Sequence, residues 1–441
     1  PYLDCVHSIL RHSMRVDQYQ KSVFADQLTG PSGIVDLMDD LGEALTLSDD
    51  LIMMGGGNPA HIPQLQKVWR ELVSEQLSAN GDWFDRVLND YDQPAGSPAF
   101  RDAVAAFLSE TYGWKVERQN IAITPGGQTA FFFLLNRFAG RMANGDERQI
   151  LVPVVPEYIG YADQGVSDAP LFSSRKPQIT LRGDREFNYG IDFDNLHLGK
   201  EHGAVVFSRP TNPSSNVLTD AEVSKLSSLA SEAGIPLLVD NAYGHPFPGA
   251  IFGDVTPIWD EHIILTMSLS KLGLPGTRTG IVVAHEDVIR ELRSMNAIIG
   301  LANNNIGQAL VRPLLETGKI QSLCQDVVRP FYEERSQIAK ELVAEILPTD
   351  VPWRYHASEG AFFLWMWFEG LPITTRELYE KLKHRGLVAV PGAPFFFGLP
   401  EGDNDWAHRD ECLRVTFTQP VEILRKGFSI LGEVLAEVYS D

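Results

Sequence analysis

The sequence predicts an α/β fold: a mainly parallel seven-stranded sheet with helices on both faces, joined to a smaller α+β domain. Three observations point there. Seven short apolar runs alternate with helical stretches between Asn120 and Ala284, the pattern of strands buried on both faces. Several of those runs end in polar or glycine-rich turns, where open α/β sheets bind ligands. After Ala284 the texture changes to a long helical region and then to shorter mixed elements. At 441 residues the chain is too long for one small core. The expected organisation is an N-terminal extension over 1–30, a small α+β domain over 31–65 and 316–441, and a large α/β domain over 66–315.

In chain order, the residues before Met14 carry no assignable role. Ile34, Leu37, Met38, Leu41 and Leu45 recur at helical spacing and predict a helix over 31–47. A short strand, Leu51 to Met54, leads into Gly55-Gly56-Gly57-Asn58-Pro59-Ala60. Gly55, Gly57 and Ala60 fit the dinucleotide pattern G-x-G-x-x-A, but Pro59 sits inside it and no acidic strand end follows about twenty residues on. Three glycines before Asn-Pro instead suggest backbone brought close to a small ligand. A helix over 62–77 follows, then a turn, Asp90 to Ser97, carrying Tyr91, which taken alone is a packing residue. Pro98 to Tyr112 is a helix.

The strand Asn120 to Thr124 runs through Pro125-Gly126-Gly127-Gln128-Thr129 into an apolar helix, Ala130 to Phe138. Such a turn either packs a helix tightly on a sheet or makes an anion site from free N–H groups and the helix dipole. It lacks the Gly-Lys-Ser/Thr ending of a nucleotide loop, so no nucleoside triphosphate is implied. Ile150 to Val155 ends in Pro156-Glu157-Tyr158-Ile159-Gly160-Tyr161, two aromatics placed where a flat ring could stack. Pro170 to Ser173 and Gly203 to Ser208 are further strands. The latter opens into a turn that fixes Asn212 between two prolines with its amide free to donate.

After the helix Asp220 to Ala233, the strand Ile235 to Val239 ends in Asp240-Asn241-Ala242-Tyr243. A carboxylate there is costly to bury unless paired, and a protonated ring nitrogen is a suitable partner. The strands His262 to Met267 and Ile281 to Ala284 flank Ser268-Leu269-Ser270-Lys271 and Arg278. A partly desolvated lysine beside another cation loses its proton more easily, which suits Schiff-base formation. Ser268, Ser270 and Arg278 can also hold a phosphate.

A helical region from Asp287 to Ile346, interrupted near 301–305, gives way to Phe362 to Phe368, Thr375 to Arg385, Val388 to Pro391 and Cys412 to Phe417. Arg414 lies in the last strand between apolar neighbours, where a guanidinium usually has a carboxylate to hold.

Composition narrows the function. Lys+Arg 37 against Asp+Glu 58 leaves a net charge of -21, which disfavours nucleic acid and anionic membrane as partners. Cys5, Cys324 and Cys412 form no Cys-x-x-Cys, and no His-Glu-x-x-His occurs, so neither a disulfide framework nor a metal is indicated and a reducing cytoplasm is expected. No apolar run reaches the eighteen or so residues of a membrane helix, and no signal-peptide pattern opens the chain.

Taken together, the glycine turn, Tyr158, Asn212, Asp240, Tyr243, Ser268-x-Ser270-Lys271, Arg278 and Arg414 resemble the fold-type I pyridoxal-phosphate aminotransferases of class I/II, from about Pro31 to the C-terminus. The resemblance implies that Lys271 bonds the cofactor and then moves the substrate's proton, with Asp240 keeping the pyridine nitrogen protonated. It implies that Tyr158 stacks on the ring and that Asn212 and Tyr243 hold its phenolic oxygen. Gly126, Gly127, Gln128, Ser268, Ser270 and Arg278 would hold the phosphate, with Tyr91 arriving from the other subunit of a homodimer. Arg414, Asn212 and the Gly57-Asn58 turn would grip the substrate carboxylate.

Two departures stand out. The family's Asn-Pro-Thr-Gly-Asn reads Asn212-Pro213-Ser214-Ser215-Asn216, and a Pro-Gly-Gly in a close member reads Asn303-Asn304-Asn305. With one arginine for a carboxylate and no clear second one, the expected reaction moves an amino group between a small aliphatic amino acid, valine or alanine, and pyruvate or 2-oxoisovalerate. The same lysine and aspartate also serve elimination and decarboxylation. A cofactor-binding regulator is the other alternative, but only about thirty residues precede Pro31, without a basic patch.

Overall fold

The computed structural model describes residues 20–47, 51–78, 82–403 and 406–440. Cys5 and residues 1–19 of the expected N-terminal extension lie outside the described residues.

Strands are numbered along the chain: β1 Ile52–Met53, β2 Ile121–Thr124, β3 Gly140–Arg141, β4 Glu147–Val152, β5 Phe172–Ser174, β6 Gln178–Arg182, β7 Glu186–Gly190 and β8 His202–Ser208. They continue as β9 Leu237–Asp240, β10 Ile263–Ser268, β11 Gly280–Val283, β12 Trp353–His356, β13 Phe363–Phe368, β14 Leu387–Val388, β15 Val390–Pro391 and β16 Cys412–Thr416. The main sheet has the order β2-β11-β10-β9-β8-β4-β3, with β5 also beside β4. Strands β5, β4, β8, β9 and β10 run parallel, whereas β11 is antiparallel to both neighbours. The α/β fold with a mainly parallel sheet is therefore as expected, and the short β3 adds an edge strand to the seven.

Every residue of β2, β8, β9, β10 and β11 is buried. That is why these strands read as continuous apolar runs rather than alternating ones. Burying each Val, Leu, Ile or Phe here contributes about 1.5–3 kcal/mol. The crossover helix Asp220–Glu232 starts at a capping box, Thr219 with Glu222, which satisfies two backbone donors at its open end.

A second sheet, β15-β16-β13-β12-β7-β6, stands beside the first. Its strands β13 and β16 are nearly wholly buried and pair antiparallel, with Trp365 opposite Arg414. The hairpin of β6 and β7 reaches this sheet from the middle of the chain, since β7 pairs with β12. That hairpin, β12 and the final helix Val421–Ser440 were not among the expected elements, although Leu424, Phe428, Leu431, Leu435 and Val438 recur at helical spacing in the last.

Register explains what the fold presents to a ligand. Ser208, Asp240 and Thr266 are partners across β8, β9 and β10, so three polar side chains stand in a row at three carboxyl ends. Ser268, Gly280 and Thr124 form the next row across β10, β11 and β2. One element sits differently from its apolar spacing: in the helix Gly33–Leu47, Ile34 and Leu37 are half-buried and Met38 is 59% exposed. This helix lies over a cavity mouth rather than in the core.

Candidate active site

One cavity collects most of the expected residues. Its lining includes Gly57, Gly127, Gln128, Tyr158, Asn212, Asp240, Tyr243, Ser268, Ser270, Lys271, Arg278 and Arg414. Ile34, Leu37 and Met38 close one side.

Lys271 leaves β10 in the short turn Ser270–Leu272, and the left-handed Gly273 ends that turn. Its Nζ donates to the Gly57 carbonyl at 2.6 Å and stands 5.2 Å from the Tyr243 ring and 5.7 Å from the Phe362 ring. Burial, with help from Arg414 and Arg278 and against Asp240, brings this amine down to about 8. A lysine so placed is a nucleophile at a pH where an ordinary one is not.

Asp240 ends β9 with 9% exposure. It accepts from the Tyr161 hydroxyl, from the Ala242 N–H at 2.8 Å and from Thr266 Oγ1 at 3.3 Å. Burial raises this carboxyl, while the Tyr161 bond, the other two donors and the Lys271 charge pull it back. Tyr161 meets Tyr158 edge-on at 5.2 Å, and a Cβ at Gly160 would strike the Tyr158 ring, so that glycine makes room for it.

Arg414 is 2% exposed, yet among the described residues it makes no ion pair. Its Nη1 donates to Asn212 Oδ1 and its Nη2 to the Gly55 carbonyl, both at 2.7 Å, while its Nε has no partner. The guanidinium lies over the Phe363 ring at 4.5 Å and the Phe395 ring at 5.3 Å. Burial lowers it to about 10. Neutral oxygens rather than a carboxylate of the described residues hold the group, which leaves a desolvated charge facing the cavity. Asn212 also donates to the Tyr243 hydroxyl at 3.4 Å, so one amide links the two.

The anion side is built on β2. Gly126, at φ +89°, precedes the helix Gly127–Phe138, which begins three residues earlier than its apolar run suggests. A Cβ at Gly126 would collide with the Arg278 guanidinium, whose partners are the Pro125 and Pro275 carbonyls. Ser268 accepts from the Ser270 N–H at 3.1 Å. The Gln128 side chain is occupied by the Gly160 carbonyl at 2.7 Å, so its contribution to an anion would come from its backbone.

Two expected residues lie elsewhere. Asn58 is exposed and outside the lining; Gly55 holds Arg414 from the same turn. Tyr91 is 86% exposed and lines a separate hollow with Asp90, Asn305 and Gln308. Its turn is clamped: Asn303 Nδ2 donates to the Pro94 carbonyl, Asn305 Nδ2 to the Asp90 carbonyl and Gln308 Oε1 accepts from the Ser97 N–H, at 2.9, 2.9 and 2.8 Å. Ser208 and Thr266 line the site although no role was expected of them, and Tyr161 and Gly55 serve it as partners of Asp240 and Arg414. The row register would have found Ser208 and Thr266 once the strand pairing was known.

The comparison with known proteins agrees with this geometry. The model of the family described as aminotransferase class I and II matches residues 75–426. The chain belongs to that aminotransferase family. It is similar to the valine–pyruvate aminotransferase of Escherichia coli, 44% identical over 420 residues, covering 95% of this chain and 99% of that one. The crystal structure of valine–pyruvate aminotransferase from Salmonella typhimurium superposes with a TM-score of 0.84 at 42% identity, covering 93% and 100%. A Psychrobacter arcticum protein described as an amino-acid aminotransferase gives a TM-score of 0.92 at 39% identity, covering 96% and 100%. In an aminotransferase of this family the residues present fit pyridoxal 5′-phosphate: an amine of lowered basicity, a buried acid across from it, a flat aromatic and a glycine-cradled arginine.

Proposed function

We propose that this aminotransferase uses pyridoxal 5′-phosphate to move an amino group between a small aliphatic amino acid, valine or alanine, and pyruvate or 2-oxoisovalerate. The observation that carries the reading is the pair of groups in one cavity: Lys271 held against Gly57, and a buried Arg414 with no ion pair among the described residues. When bound, the cofactor supplies an aldehyde that condenses with amines and a ring that takes up the electrons released at Cα.

The chain's own residues do the rest. Lys271 would hold the cofactor through its amine and, once freed, would hold and move the proton at Cα. Asp240, fixed by Tyr161, Ala242 and Thr266, holds the ring nitrogen's proton. Tyr158 would cover the ring, Tyr243 and Asn212 would hold its oxygen, and Arg278 with Gly126, Gly127, Gln128, Ser268 and Ser270 would bind the phosphate. Arg414 orients the substrate carboxylate with its planar fork. Ile34, Leu37 and Met38 add an apolar wall without a second cation, which suits an aliphatic side chain.

A homodimer is part of the proposal. Ile298, Ile299, Leu301 and Ile306 are exposed near the clamped Tyr91 turn, an apolar surface suited to a second copy. So is a place in the cytoplasm, which the free thiols of Cys324 and Cys412 support; no helix among the described residues is long and apolar enough to cross a membrane.

Half-reactions of the cofactor-loaded protein with single amino acids test the substrate. Valine, alanine and 2-aminobutyrate should all convert the cofactor, differing by about 1–3 kcal/mol per methylene. Fast reaction with aspartate and none with alanine would refute the assignment.

A further inference from the structure

Glu157 stands behind the site, 1% exposed, with no cation bonded to it among the described residues. Its carboxyl accepts from the Tyr158 N–H at 2.7 Å, from the Ser208 N–H at 2.8 Å and from the Ser208 hydroxyl. Its own N–H donates to the carbonyl of Phe395, the ring beneath Arg414, at 3.0 Å. Ser208 is the strand partner of Asp240. The Glu157 side chain thus ties the residue expected to cover the ring to the strand beside the buried acid, and its backbone adds the loop under the arginine.

We infer that Glu157 is a positioning residue of the cofactor site, which locks Tyr158 onto the end of β8 and adds a second carboxyl behind Asp240 to favour a cationic ligand there. Two backbone N–H groups, which can only donate, together with the Ser208 hydroxyl suit an ionised carboxylate. Burial first, and Asp240 last, push the group up to about 7 against those donors, so it gains or loses its proton near neutral pH. The titratable groups around it are Asp240, Tyr158 and Tyr161, with Lys271, Arg414 and Arg278 across the cavity.

The inference rests on the proposed use of pyridoxal 5′-phosphate, and the test separates the two. Unsubstituted protein, Glu157→Gln and Ser208→Ala are titrated with pyridoxal 5′-phosphate, and the pH midpoint of the bound cofactor's visible absorbance is followed. Glu157→Gln should bind the cofactor about tenfold more weakly, with the midpoint moved to lower pH, because loss of a negative charge disfavours the protonated, cationic form. Ser208→Ala should shift both in the same direction by less, and it decides the matter alone if Glu157→Gln does not fold. Unchanged affinity and midpoint in a folded variant would overturn the role of Glu157. Failure of the unsubstituted protein to take up the cofactor would instead overturn the proposed function.

Discussion

Asp240 and Arg414 are both buried charges on strands, and the structure treats them in opposite ways. Asp240 ends a parallel strand and is met by three donors from three elements. Arg414 lies within an antiparallel strand, where two neutral oxygens and two aromatic rings hold it and its Nε is left over. The acid is oriented in advance, as suits a group that must meet a resident cofactor in one geometry. The arginine is left unneutralised, as suits a group whose anion comes and goes with the substrate. On the proposed roles, the main sheet presents the acid for the cofactor and the second sheet the arginine for the substrate.

Substitutions can break that division. The largest effect is expected for Lys271→Ala, which should lower turnover by roughly a thousandfold or more while the protein keeps its melting temperature, since a nucleophile is lost and little core volume. Asp240→Ala should lower single-turnover rates by about a hundred- to a thousandfold for every amino acid alike. By contrast, Arg414→Lys keeps the charge but loses the fork, and should lower kcat/KM for amino acids by about tenfold or more, leaving cofactor affinity nearly unchanged. Should Arg414→Lys weaken the cofactor as much as the substrate, the division between the sheets is wrong.

A smaller, graded effect concerns pH. Lys271 has a lowered basicity, so its neutral fraction grows as pH rises through about 8. The rate at which cofactor-free protein captures pyridoxal 5′-phosphate should climb over that window, two units below the range of an ordinary lysine at about 10.4. Stopped-flow absorbance against pH reads it directly.

The smallest effect is expected at Ser215, which replaces the family's glycine and adopts φ +61°. The left-handed conformation costs a side chain roughly 1–2 kcal/mol, offset by a bond from its hydroxyl to the Phe363 carbonyl at 2.7 Å. Ser215→Gly should therefore change the melting temperature little, and Ser215→Ala, which keeps the strain and loses the bond, should lower it more.

Much of the site was legible because strand ends and glycine turns mark themselves: Asp240 after an apolar run, Lys271 between hydroxyls and a turn, Gly126 before a helix. Ser208 and Thr266 are common residues whose meaning arises only when β8, β9 and β10 set their register, and that of Tyr161 only when its turn meets the end of β9. The β6 strand escaped notice because its face is mostly exposed and carries little apolar signal. The helix Gly33–Leu47 showed its period truthfully, but periodicity does not say whether an apolar face meets a core or a cavity mouth. That a guanidinium on a buried strand needs an anion was legible at Arg414, but not that the Asn212 and Gly55 oxygens hold it meanwhile, because that contact depends on how distant segments meet.

Borohydride reduction of the cofactor-loaded protein, followed by peptide mapping, tests the central claim most directly. The reduced pyridoxyl group is expected on Lys271 and to be lost in Lys271→Ala; a stoichiometric tag on any other lysine would contradict the account.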